Sequence, residues 1–203
     1  MLGSAVTCEA IPTVLHKKSS EVKRLCSNLE LLDSHSALFL MKSCNGAPKL
    51  LYTLRTCPTF LNPNIFLELD TTIRASFERI KNTCISDTGW KQANLPVRLG
   101  GYGIRSIVSL SLPAFISSVY ASEDLSSLIL DRKLSILDDP FFALALKKWC
   151  VATCSPFPNS GLNFQSSWDR PLLAIQSSQI EQSLSNPSDK ARFLGSIGSE
   201  SGA

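Results

Sequence analysis

The chain has 203 residues, 44% hydrophobic and 8% aromatic, with 20 Lys/Arg against 17 Asp/Glu for a net charge of +3. That is enough apolar material for one sizeable core. A mean hydropathy of +0.09 and apolar runs as short as Ala37 to Met41 and Leu50 to Leu54 exclude a membrane helix, which needs ~20 apolar residues.

Charge is unevenly shared. Residues 1–105 hold 13 Lys/Arg and 8 Asp/Glu, a balance of +5, and residues 106–203 hold 7 and 9, a balance of −2. Mixed with 8 anions, the 13 cations fall short of the dense stripe of a strong nucleic-acid binder, but they permit weak phosphate contact. Met1 to Ala10 lacks a basic leader region, and Glu9 and Pro12 interrupt any apolar signal core, so an intracellular location, nuclear or cytoplasmic, is expected. Seven scattered cysteines, Cys8, Cys26, Cys44, Cys57, Cys84, Cys150 and Cys154, fit reduced thiols better than a disulfide framework.

In chain order, Val22, Leu25, Leu29 and Leu32 form a helical stripe that Ser19 or Ser20 could cap. Asp33 and Ser34 can cap a second helix through Ala37, Leu38 and Met41, which Asn45 and Gly46 would stop before Pro48. A third follows through Leu50, Leu51 and Leu54. After the turn at Asn62, Pro63 and Asn64, the residues Ile65, Leu69, Ile73, Phe77 and Ile80 give the strongest helical periodicity in the chain.

Beyond Trp90 the pattern changes to Leu95, Pro96, Val97, Arg98, Leu99, then three glycines at 100, 101 and 103. This predicts a constrained Gly-rich loop or a short β-hairpin near residues 95–105. Helical patterning returns at Val108 to Ala121, Leu125 to Leu134 and Phe141 to Val151, then from about Gln165 to Leu184 and from Asp189 to Leu194. The expected organisation is a mainly α, bundle-like region over 1–153, a linker over 154–164, and a short helical C-terminal segment over 165–203 whose tail from Gly195 has little to bury and should fray.

Candidate catalytic groups are sparse. Asp138 and Asp139 are an adjacent acidic pair that could hold metal, but they precede Pro140 and a helical run, where Asp caps free backbone N–H groups. His16 and His35, the only bases of that kind for a Cys or Ser nucleophile, both lie on or beside predicted helices in the first 35 residues, where a surface or cap role is the commoner one. Cys150 and Cys154 share a helical face without further metal ligands. A thiol enzyme built on either would need a nearby base. Gly100, Gly101 and Gly103 match no phosphate-cradling pattern and suit a turn with positive φ. Trp90, Trp149 and Trp168 could stack on bases, but packing between helices is the commoner role of such tryptophans.

Longer strings carry a resemblance. Ser34 to Lys42 (SHSALFLMK), Pro48 to Thr56 (PKLLYTLRT) and, most specifically, Trp90 to Ser106 (WKQANLPVRLGGYGIRS) resemble segments that follow the polymerase palm in non-LTR-type retrotransposon reverse transcriptases. The opening Leu2-Gly3-Ser4 is similar too, as are Gln165 to Pro171 (QSSWDRP), Lys190 to Leu194 and Glu200 to Ala203, so the likeness spans nearly the whole chain.

The resemblance implies a helical thumb and connection segment that grips template and primer. The aromatic-x-Asp-Asp palm motif is not in the sequence given, and Ile136 to Asp139 lacks the aromatic and falls in the wrong order. The cysteine/histidine cluster and endonuclease-like region that the family carries downstream are not in it either. A truncated or degenerate element, with no catalytic activity of its own, no cofactor and no small-molecule substrate, is therefore expected. Within the matched strings, Lys42, Lys49, Arg55, Arg98 and Arg105 are the candidate contacts to the backbone of RNA or of an RNA–DNA hybrid. Arg55 and Arg105 could equally serve as helix-terminal charges. The alternative is a structural or protein-interaction module whose helices simply bury one another.

Overall fold

The computed structural model describes residues 4–5, 7–131 and 135–198. Among them lie nine α-helices: α1 (Ile11–Leu29), α2 (Ser34–Cys44), α3 (Ala47–Thr56), α4 (Pro63–Lys81), α5 (Asp87–Ala93), α6 (Ile107–Ile129), α7 (Pro140–Thr153), α8 (Gln165–Ser183) and α9 (Pro187–Gly195). The fold is mainly α, and no strand occurs among the described residues. The hairpin alternative near 95–105 is thus corrected to a loop, whose one extended pairing is an isolated antiparallel bridge between Leu99 and Ile197.

Helix α1 begins at Ile11 instead of Ser19. Pro12 occupies the first turn, where its missing N–H removes no helical bond. Ile11, Leu15, Ser19, Val22, Cys26 and Leu29 then bury one continuous face, so the expected cap, Ser19, is an interior residue of the helix. Asp33 caps α2 by accepting from Ser36 N at 3.0 Å, and Gly46 turns the chain at φ +60 into α3. The periodic stripe of α4 buries Leu69, Ile73, Phe77 and Ile80, and Asn82 ends the helix in the left-handed region.

Helix α5 escapes sequence patterning because it is only seven residues long and contains Gly89; Ser86 Oγ caps it by accepting from Gly89 N. The two runs expected at Val108–Ala121 and Leu125–Leu134 are one helix, α6, as far as Ile129, and residues 132–134 lie outside the described residues. The break read at Ser122 to Asp124 is simply an exposed turn of that helix. Asp139 caps α7, accepting from Phe141 N at 2.7 Å and Phe142 N at 3.2 Å.

Helix α6 is the organising element, packed against α3, α4, α7 and α8, while α1 lies along α4. One core joins α1 to α4 with the start of α6, around Leu15, Leu50, Leu69 and Phe77. A second gathers Phe60, Phe115, Phe142, Trp149 and Trp168. Trp149 Nε1 donates to the Trp168 carbonyl at 2.8 Å and Trp168 Nε1 to the Leu162 carbonyl at 2.7 Å, so both indoles sit in the core with their polar atoms satisfied. A third core joins Leu95 to Leu173, Ile180 and Phe193.

Residues 154–164 carry no helix and link α7 to α8, which nonetheless packs on α5, α6 and α7. Ile197 packs against the third core, so the expected fraying does not start at Gly195; Ser199 to Ala203 lie outside the described residues. No helix among the described residues is long and apolar enough to cross a membrane.

Candidate nucleic-acid interface

The run from Trp90 to Ser106 folds back on the end of α5. Tyr102 N and Ile104 N donate to the Ala93 carbonyl at 3.2 and 3.3 Å, Gly103 N donates to the Leu95 carbonyl at 2.8 Å, and Gln92 Nε2 donates to the Gly100 carbonyl at 3.0 Å. Gly100 and Gly103 take φ of +76 and +75, which glycine adopts freely. Gly101 is required by proximity, since a Cβ there would lie 2.1 Å from the Leu95 carbonyl oxygen.

This loop presents two cationic groups. Tyr102, half exposed, sets its ring edge on Phe77 at 5.4 Å. Lys81 Nζ donates to its hydroxyl at 3.3 Å and lies 5.1 Å from its ring centroid, a cation–π geometry. Lys42 runs over Gly103 beside it, where a Cβ would meet Lys42 Cε at 3.0 Å. Arg98, exposed, lines a 740 Å³ cleft with Arg170 of α8. Neither arginine forms an ion pair among the described residues, and the one acid in the cleft, Glu181, is held by Lys190 at 3.0 Å.

The other sequence-predicted cations have intrachain partners. Lys49 pairs with Glu21 at 3.3 Å, and that contact, followed by Lys18, holds the Glu21 carboxyl below its ordinary range. Arg55, in the last turn of α3, donates to Gln165 Oε1 of α8 at 3.2 Å. Arg105 is engaged by both oxygens of Asp169. Of the five residues read from the sequence, Lys42 and Arg98 are therefore left without an intrachain partner among the described residues.

No protein-family model, curated protein or solved structure matches this chain.

Lys81, Tyr102 and Arg170 belong with the cationic groups but were not singled out in the sequence. Arg170 lies inside the Gln165 to Pro171 string, so a signal for it existed. Lys81 and Tyr102 are 21 residues apart on different elements, and nothing local pairs them.

Among the described residues no three His, Cys, Asp or Glu side chains are grouped to hold a metal ion. His16 and His35 are exposed on α1 and α2. All seven cysteines are free thiols, and burial pushes the Cys26 thiol above its ordinary value, which suppresses the reactive thiolate. Desolvation raises the Asp70 carboxyl above its ordinary value even though it accepts from Ser106 Oγ at 2.6 Å and Ile107 N at 3.0 Å. Its hydrogen bonds satisfy the start of α6, a structural task.

Proposed function

We propose that this chain is a non-catalytic segment of a retroelement reverse transcriptase that holds template and primer weakly, through their phosphates and without regard to sequence. The observation that carries this reading is the Trp90 to Ser106 run, the most specific of the retroelement-like strings. It is wound into a tight loop that puts Arg98 in the cleft Arg170 also lines, lays Gly103 against Lys42 and pairs Tyr102 with Lys81. Cations without acidic partners are the ones that can exchange counterions for phosphates. Among the described residues eight Lys and Arg side chains are ion-paired within the chain, which fits weak binding.

The test is a fluorescence-anisotropy titration with a labelled RNA–DNA hybrid at two salt concentrations. Binding that weakens steeply with salt and falls on Arg98→Ala supports the reading. Absence of binding by a folded sample refutes it.

A second reading, a structural or protein-interaction module, is favoured by the far end of α6. There Leu125, Leu128 and Ile129 are 60%, 77% and 71% exposed at spacings that share one helical face. Salt-insensitive association with a protein, and no response to nucleic acid, would select it.

A further inference from the structure

Beside the glycine loop, two aromatic side chains are exposed near two lysines. Tyr102 is 49% exposed, and its inner side rests on the buried Phe77, ring centroids 5.4 Å apart. Lys81 Nζ lies 3.3 Å from the Tyr102 hydroxyl but 5.1 Å from the ring centroid, so the ammonium sits toward the hydroxyl end and does not cover the middle of the ring. Helix α2 runs past this group. At its start Ser34 Oγ donates at 2.8 Å to the carbonyl of Ile80, the residue before Lys81. In its last turn Lys42 lies over Gly103, the residue after Tyr102. Phe39 falls between those two anchor points, one turn before Lys42, and is 63% exposed.

The electrostatic setting is one-sided. Neither α2 nor the run from Leu95 to Arg105 contains an Asp or Glu. Asp33, just before α2, is turned onto Ser36 N as its cap, and Glu78, one turn before Lys81, is held by Arg74. Lys42 and Lys81 form no ion pair among the described residues. An apolar protein surface laid here would bury both ammonium groups unpaired, which is costly. A strand that carries a flat base with every phosphate meets the rings with the one and the lysines with the other.

We propose that Tyr102 and Phe39 form a stacking platform for a single-stranded stretch of nucleic acid, with Lys42 and Lys81 on the flanking phosphates; this rests on the nucleic-acid reading above and narrows it to unpaired bases. In a duplex the base faces are already covered by their neighbours, so a hybrid engages the lysines and not the rings. Every base has a face to offer, so the platform takes RNA and DNA strands without regard to sequence.

The experiment titrates labelled A12 DNA and an abasic strand of the same length and phosphate count, by anisotropy at low and high salt. The strand with bases should bind about tenfold more tightly. Tyr102→Leu, which keeps apolar cover over Phe77 but removes the ring, should cut that preference below about threefold and leave the salt dependence unchanged, whereas Tyr102→Phe should keep it. Phe39→Leu, at an exposed helical position, should narrow the preference without any demand on folding. Equal binding of the two strands by the unaltered protein would mark the patch as a site for any polyanion, acidic peptides included, and overturns the platform while leaving phosphate contact standing. A preference that survives both leucine substitutions overturns it as well. Binding of an RNA–DNA hybrid without binding of A12 sinks the platform alone; no binding of either strand or of the hybrid by the folded protein removes the nucleic-acid reading with it.

Discussion

Arg105 and Asp169 meet in a two-point fork, Nη1 2.8 Å from Oδ2 and Nη2 2.7 Å from Oδ1, across 64 residues of sequence. The side chains are 21% and 10% exposed, so the fork is largely shielded from water and ties the Gly-rich loop to α8. Asp169→Asn should lower stability by about 2 kcal/mol, because one charged fork partner remains without its counter-charge. Urea denaturation of both single variants and the double variant measures this. A coupling energy near zero would show that the pair contributes nothing as a pair. Arg105→Ala is accordingly a poor probe of nucleic-acid contact, since any loss of binding would be mixed with loss of fold.

Arg98 and Lys49 separate that problem cleanly. Arg98 is exposed and has no ion-pair partner among the described residues, whereas Lys49 is engaged by Glu21. If Arg98 contacts one phosphate, Arg98→Ala should reduce the slope of log K against log salt by about 0.9 for a duplex. Lys49→Ala should leave the slope unchanged. The reverse ranking in an anisotropy salt series would remove the proposed role of Arg98.

Trp168 is fully buried, stacked on Tyr120 at 5.6 Å and edge-on to Trp149 at 5.0 Å. Trp168→Ala should cost roughly 3–5 kcal/mol. A shift in the urea midpoint corresponding to less than about 1 kcal/mol would mean that the surrounding aromatics collapse into the space. Asp139→Ala, which removes the α7 cap, should cost about 1 kcal/mol in the same assay.

Asp70 gives a pH prediction. Desolvation raises its carboxyl above the ordinary value despite the bonds from Ser106 and Ile107, so the folded protein holds that proton more tightly than the unfolded chain. The contribution is therefore greatest in acid, and it declines as pH rises from the ordinary carboxylate range through the raised value of Asp70. The stability difference between the unaltered protein and Asp70→Asn, followed by urea denaturation across that range, should decline and then level off. A difference independent of pH would show that Asp70 is not raised.

The helices were legible in the sequence where local periodicity and caps are strong. The stripe of α4, the Asp33 cap of α2 and the Asp139 cap of α7 are all written within a few neighbouring residues. Helix α5 was not, because seven residues around Gly89 give too little periodicity to register. The start of α1 was hidden by His16, Lys17 and Lys18, polar residues that fill the outer face of a helix whose inner face is Ile11, Leu15 and Ser19.

The candidate site was harder to read, since the sequence names the cations but not their partners. That Arg105 belongs to Asp169 and Lys49 to Glu21, while Arg98 and Arg170 line one cleft, is decided by folding across 28 to 72 residues, which no local pattern encodes.

The bridge between Leu99 and Ile197 joins the middle of the chain to its last described turn. With Leu95, Leu173, Ile180 and Phe193 beneath it, the stretch from Leu95 to Leu99, α8 and α9 share a core separate from the one built on α1 and α4, and they should open together. Amide protons of Leu99 and Gly100 should therefore exchange with solvent in step with those of Phe193 and Leu194. Loosening the end of the chain would release a loop almost a hundred residues upstream.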